Sequence, residues 1–301
     1  MIDIDSANSV RHVFKIRLSI SGQCNYNCFF CHNEGRRHFS NKLMSLDNIM
    51  LLCKAAYLSG IRSFTFTGGE PLTHPMALSI IERIRLEFPD VTIKLTTNAS
   101  LLTVDDVPFL EKNIDKIRIN FQSVNRNIFK RLVGVDCLPQ LMDLIAALRW
   151  TNVHICLNYV YNKESKSELP EILNYATENK LEMKVLELIK NEYNFSYYEP
   201  ISNAKQYLES VTKLSKKDYQ NDDLYFMAQN SPKIRLCYSH CNTLDGKSCS
   251  LLGELRTSPV LEIYPCMSSM TQKCNVKDTD SPEEVAKKIL YIDSIKGICP
   301  T

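Results

Sequence analysis

Between Phe14 and residue 189 the chain alternates short strand-like runs with helix-length segments, each pair taking about 30 residues, the size of a βα unit. The spacing predicts strands over 14–20, 63–67, 91–96, 116–121, 153–160 and 182–188. Ser45 reads as an N-cap before Leu46, Ile49, Met50, Cys53 and Tyr57 at helical spacing, with Gly60 as the stop. Further helices are predicted near 76–87, 104–112, 138–150 and 168–179; Thr103 caps the second of these, and Gly134 and Pro139 set off the third. Six successive units imply parallel strands joined by right-handed crossovers. Side-chain alternation then chooses between an open sheet and a barrel. Phe14, Ile16, Leu18 and Ile20 share one face of the first strand and Lys15, Arg17 and Ser19 the other. The same split recurs for Thr65 and Thr67, for Lys94 and Thr96, for Arg118 and Asn120, and for His154, Cys156 and Asn158. Buried parallel strands normally read as continuous apolar runs. A polar face in five consecutive strands therefore predicts an α/β fold built as a partial (β/α)6 TIM-like barrel around a wet lumen.

Length and charge bound the rest. With 301 residues, 44% of them hydrophobic, the chain can bury a large core and carry an appendage. A net charge of +2 makes no electrostatic case for nucleic acid or membrane as a partner. No apolar run approaches the ~18 residues of a membrane span, and Met1-Ile-Asp-Ile-Asp is unlike a signal peptide, so the expected location is cytoplasmic. Of twelve cysteines, three fall within 24–31 and five within 237–274. In a reducing compartment such clusters point to metal rather than disulfides. Cys53, Cys137, Cys156 and Cys299 read as plain thiols.

Cys24, Cys28 and Cys31, directly after the first strand, can wrap three thiolates around one small inorganic core and leave a coordination position open for a ligand. A zinc knuckle or a set of buried thiols is the competing reading. Thr67-Gly68-Gly69-Glu70-Pro71 ends the second strand, where paired glycines admit close backbone approach and Glu70 supplies a carboxylate. Thr96-Thr97-Asn98-Ala99 ends the third strand and Asn120-Phe-Gln-Ser123 the fourth.

Together these motifs resemble the signature of the radical S-adenosylmethionine (SAM) enzymes, in particular the branch containing the GTP 3′,8-cyclase of molybdenum-cofactor synthesis. The likeness covers residues 11–189, and 235–270 more loosely. It implies a [4Fe-4S] cluster on Cys24, Cys28 and Cys31, and SAM contacts from Phe30, Gly68, Gly69, Glu70, Thr96, Asn98, Asn120 and Ser123. Ala99 departs from the family's usual glycine. It also implies a 5′-deoxyadenosyl radical made by reductive cleavage of SAM, and an electron donor such as flavodoxin or ferredoxin. Arg17 and His154 are its catalytic candidates on the lumen face.

The second cysteine field resembles the twitch or SPASM appendage that carries an auxiliary [4Fe-4S] cluster; Cys241, Cys249 and Cys266 are the expected ligands and Cys237 a fourth candidate. A structural zinc site is the rival. The segment ending at Tyr-Pro-Cys266 reads as a β-hairpin. The predicted division is a barrel core over 11–190, a linker with two amphipathic helices (about 203–215 and 216–229) within 191–235, and a small C-terminal auxiliary iron–sulfur domain over 236–301. Several cations that the GTP cyclase uses to grip triphosphate are replaced here: Thr65 stands near one such position and His154 or Ile155 near another, and Arg256 alone remains of an arginine-rich run. The resemblance thus implies a nucleoside-like or other small-metabolite substrate less anionic than GTP. A peptide maturase, a true GTP 3′,8-cyclase and a non-enzymatic metal-binding scaffold are the alternatives.

Overall fold

Our computed structural model describes residues 13–32, 41–218, 223–227, 233–239, 253–266 and 272–295. In chain order the elements are β1 (Lys15–Ser21), α1 (Leu46–Leu58), β2 (Ser63–Gly68), α2 (Ala77–Glu87), β3 (Thr92–Thr97), α3 (Val107–Asn113), β4 (Lys116–Asn120), α4 (Arg126–Val133), α5 (Leu138–Leu148), β5 (His154–Tyr161), α6 (Leu169–Glu178), β6 (Glu182–Glu187), α7 (Ile201–Val211), β7 (Lys213–Asp218), β8 (Asp223–Met227), β9 (Ile234–Cys237), β10 (Glu254–Thr257), β11 (Glu262–Tyr264), β12 (Cys274–Asn275) and α8 (Pro282–Ser294). Among the described residues they form one twelve-stranded sheet in the order β12-β11-β10-β1-β2-β3-β4-β5-β6-β9-β8-β7.

The six strands predicted from the sequence are all present and pair in sequence order, every neighbour parallel. Their apolar faces pack against the crossover helices: Ile16, Leu18 and Ile20 of β1, Phe64 and Phe66 of β2, Ile93 and Leu95 of β3, Ile117 and Ile119 of β4, Leu157 of β5 and Val185 of β6 are completely buried. Each such side chain contributes about 1.5–3 kcal/mol of burial, so the outer face holds the sheet while the inner face is left to polar residues. Ser45 caps α1 as expected, its Oγ accepting the Asn48 N–H.

Two parallel strands come from beyond residue 230. β9 joins the free edge of β6, and β10 joins the free edge of β1. The C-terminal stretch thus begins inside the barrel's own sheet. β10, β11 and β12 continue antiparallel from one edge, including the predicted hairpin before Cys266.

Three local expectations are corrected. Within the second amphipathic stretch, 216–229, the described residues are strand, 216–218 in β7 and 223–227 in β8: Leu224 and Phe226 are buried with Tyr225 between them, a period of two, and β8 finds an unpaired edge on β9. Helix α4 was not foreseen, because its apolar residues occupy barely two turns; Asn125 accepts the N–H groups of Asn127 and Ile128, and Gly134 ends it at φ +84°. Phe14 lies before β1 and is exposed, its N–H bonded to the Gly253 carbonyl.

Candidate active site

At the C-terminal end of β1 the cysteine loop is tied down from three sides. The turn after β2 donates its Gly69 and Glu70 N–H groups to the carbonyls of Ser21 and Gln23, at 2.8 and 2.7 Å. A Cβ on Gly68 would lie 2.0 Å from the Ser21 oxygen and one on Gly69 2.3 Å from the Gln23 oxygen, so only glycine permits this approach. From β3, Asn98 donates its amide to Asn25 at 2.8 Å, and Asn25 donates to Ser100 at 2.8 Å. From the end of α4, the Val133 carbonyl takes the Asn27 N–H at 3.0 Å, while the Tyr26 hydroxyl is hydrogen-bonded to the Cys137 thiol at 2.7 Å. Cys137, read from the sequence as a plain thiol, is thus an anchor of the loop.

Within this frame Cys24 and Cys31 are exposed and Cys28 is half-buried. Burial, with Cys31 and Cys24 close by, pushes the Cys28 thiol well above its ordinary range. Thiols near enough to repel one another's negative charge suit a shared metallic core, which would deprotonate them. Among the described residues no three His, Cys, Asp or Glu side chains converge on a single metal ion. A cluster instead gives each thiolate an iron of its own, and the three-thiol set fits it.

Glu70 is buried, accepting hydrogen bonds from the Thr97 hydroxyl and the Asn98 N–H, both at 2.6 Å, and from the Leu72 N–H at 3.1 Å. Burial nevertheless pushes its carboxyl up to about 7. The Gly69 and Glu70 N–H groups are consumed by the loop and are not offered to a ligand at this turn.

The remaining candidates divide. Asn120 points its amide at the Cys28 sulfur, 3.8 Å away, and is held by Gln122, whose own carboxamide is pinned to β5. Gln122 and Thr97 were not singled out in the sequence, although both sit inside the motifs quoted there. Thr96 faces the lumen, its hydroxyl buried with no hydrogen-bond partner among the described residues. Phe30 is buried, edge-on to Phe29, which packs on Tyr197. Ser123 turns away into the protein, hydrogen-bonded to the buried Glu168. Arg17 reaches Thr67 at 3.0 Å and pairs with Glu254 at 3.7 Å, in the lumen. His154 is not brought to this group: it opens β5 at the opposite end of the barrel, exposed and in register with Lys116. Cys266 is part-exposed just after β11, and Cys241 and Cys249 lie outside the described residues.

Lower in the lumen the charge balance differs from expectation. Positions emptied of cations are offset by others: Lys94 on β3, Arg118 on β4, Lys184 on β6 and Arg235 on β9. Burial and the nearby Arg118 push the Lys184 ammonium down to about 8. A cavity of about 140 Å³ opens here, lined by Lys116, Arg118, Cys156, Lys184, Tyr225 and Arg235 among others.

A family model described as the Radical SAM superfamily matches residues 18–176. A probable GTP 3′,8-cyclase of Sulfurisphaera tokodaii is 29% identical over 277 residues, covering 89% of this chain and 85% of that protein. One from Thermococcus kodakarensis is 27% identical, covering 69% of each chain. Among solved structures, Streptococcus suis SuiB bound to its precursor peptide SuiA superposes with a TM-score of 0.67 at 18% identity, covering 93% of this chain and 68% of that one. The enzyme anSMEcpe with bound AdoMet gives 0.62 at 13%, covering 91% and 80%. These two likenesses concern the fold, a partial barrel with a parallel sheet. More than half of the sequence matches the family model, and the cysteine loop, its glycine cradle and Glu70 meet at one end of such a barrel; this chain belongs to the radical SAM superfamily, whose members bind SAM and a [4Fe-4S] cluster, and it is a radical SAM enzyme.

Proposed function

We propose that the enzyme abstracts hydrogen from a nucleoside-like or other small-metabolite substrate held inside the barrel. Four buried polar atoms without hydrogen-bond partners among the described residues carry this reading: Thr65 Oγ1, Thr96 Oγ1, Arg118 Nε and Asn158 Oδ1. They sit on the lumen faces of β2, β3, β4 and β5. Buried polar groups left unsatisfied cost about 1–3 kcal/mol each, and four on one surface are what a chamber shows when its ligand supplies the missing partners.

In this proposal Cys24, Cys28 and Cys31 hold the cluster, which when loaded and reduced supplies the electron that splits SAM into methionine and a 5′-deoxyadenosyl radical. Glu70 and the carbonyls of the glycine turn receive the ammonium of SAM. Asn120, fixed by Gln122, lines the approach beside Cys28. The completely buried Phe64, Phe66, Ile117 and Ile119 of the outer face close the wall behind the chamber. An auxiliary cluster on Cys241, Cys249 and Cys266, and an external flavodoxin- or ferredoxin-like donor, belong to the same proposal.

The relatives' printed name and the cations inside the barrel favour a second reading, cyclisation of GTP itself. Anaerobic reconstitution, iron counting and incubation with SAM, reductant and GTP separate the two. We expect 5′-deoxyadenosine without efficient GTP consumption; efficient formation of a cyclised GTP product would replace the first reading by the second. Iron at about twice the content of one four-iron cluster, halved by changing Cys249 and Cys266 together, is the expected sign of the auxiliary site, and zinc in its place would refute it.

A further inference from the structure

We propose that Gln122 is a positioning residue for the iron–sulfur cluster: it fixes the polarity of the Asn120 carboxamide so that an N–H, and not the carbonyl, faces the Cys28 sulfur, and thereby raises the reduction potential. This rests on reading Cys24, Cys28 and Cys31 as the cluster ligands.

An asparagine side chain has two ends of nearly equal shape and opposite polarity, so its partners set which end points where. Here the partners lead back to main-chain groups whose roles cannot change. The Val160 N–H of β5 donates to Gln122 Oε1 at 3.2 Å, and the Asn158 carbonyl of the same strand accepts from Gln122 Nε2 at 3.3 Å. A backbone N–H only donates and a backbone carbonyl only accepts, so Gln122 can sit on β5 in one orientation alone. Its Nε2 then donates to Asn120 Oδ1 at 2.5 Å. With that oxygen engaged, Asn120 turns Nδ2 to Cys28 Sγ, 3.8 Å away. Gln122 is completely buried, so bulk water does not compete for these bonds.

The two ends of Asn120 would act on a cluster in opposite directions. Reduction adds negative charge that the sulfurs share, and an N–H directed at a sulfur stabilises the reduced form, which raises the potential. A carbonyl in the same place would turn the negative end of its dipole to the thiolate. Cys24 needs no such device, because its sulfur accepts the Tyr26 backbone N–H at 3.4 Å. At Cys28 the donor is a side chain, and Asn158, the register partner of Asn120, belongs to the strand segment that dictates its polarity.

The test is an anaerobic redox titration of the reconstituted protein without SAM, followed by electron paramagnetic resonance of the cluster whose signal changes when SAM is added afterwards. Asn120→Leu, which removes the donor, should make that cluster about tenfold harder to reduce, a fall of about 59 mV for one electron. Gln122→Met keeps Asn120 but frees its orientation, and should shift the potential the same way by about threefold. The double variant should shift no further than Asn120→Leu, since the two residues act as one unit. Ser123→Ala, which loses a buried hydrogen bond to Glu168 on the same loop, should lower the melting temperature and leave the potential unmoved. Pulsed electron–nuclear double resonance should find one fewer exchangeable proton coupled to the reduced cluster in each of the first two variants. A wild-type potential in both iron-loaded single variants, additive shifts in the double variant, an equal shift in Ser123→Ala, or an unchanged proton coupling would each overturn the proposal. A wild type that loads no iron would overturn the cluster reading and the proposal with it.

Discussion

At the C-terminal ends of the strands, Glu70 accepts hydrogen bonds from Leu72, Thr97 and Asn98, Asn98 bonds Asn25, and Asn120 is held by Gln122. On the lumen faces of the same strands, at several heights, Thr65, Thr96, Arg118 and Asn158 carry buried atoms with no partner among the described residues. The upper region is a finished scaffold whose geometry exists before any ligand arrives, as a cluster site needs if its open position is to face one way. The unpartnered atoms of the lumen wall are buried at a cost that a ligand would remove. One lumen thus combines a pre-organised cofactor end with an unsatisfied substrate end.

The sharpest way to break the upper half of this contrast is to remove a thiol. Cys24→Ala, Cys28→Ala or Cys31→Ala should each abolish 5′-deoxyadenosine formation in an anaerobic assay, because two thiolates cannot hold the cluster. A variant that still cleaved SAM near the normal rate would end the assignment. Next in size, Glu70→Gln places an amide N–H₂ among the three donors that surround the carboxylate, and we expect about 2–3 kcal/mol of lost stability from unsatisfied partners, measured by denaturant unfolding. An unchanged midpoint would mean that the upper scaffold is not pre-organised through Glu70.

A paired charge should respond to pH differently from the unpaired cations of the lumen. Burial raises the Glu262 carboxyl, but hydrogen bonds from Lys273, Tyr264 and Ser258 outweigh it and hold the group below its unfolded value of 4.5. A carboxylate depressed in the folded state stabilises above that value and loses its contribution as pH falls through the folded one. Amide exchange in β10 and β11, corrected for intrinsic rate, should therefore accelerate as pH drops below 4.5; pH-independent protection there would count against the pairing. The smallest effect concerns Ala99, which adopts φ +58° where the family usually has glycine. Ala99→Gly should relieve left-handed strain of roughly 1–2 kcal/mol, less the extra chain entropy of glycine, and raise the melting temperature slightly. A fall would show that the buried methyl matters more than the strain.

Much of the fold was legible because its signals are local. The βα periodicity, the N-cap at Ser45 and the glycines at Gly68 and Gly69 each act within a few residues of themselves. The cofactor end was legible for the same reason, since Cys24, Cys28, Cys31 and Glu70 lie in short motifs. His154 was misplaced because its position on the polar face of β5 says nothing about its height in the barrel, and the strand of residues 223–227 was misread because a free edge on β9 is invisible from its own sequence.

By itself the sequence determined that the strands would be parallel, that one face of each would be polar, and that three thiols would sit after the first of them. These follow from spacing, covalent geometry and the need to bury apolar side chains. Only the tertiary structure decided that β9 and β10 would extend both edges of the barrel, and that Arg118 and Lys184 would share a cavity with little but Cys156 between them. Register between strands far apart in the chain sets which charges meet, and whether a buried cation has a partner depends on residues that no local pattern connects.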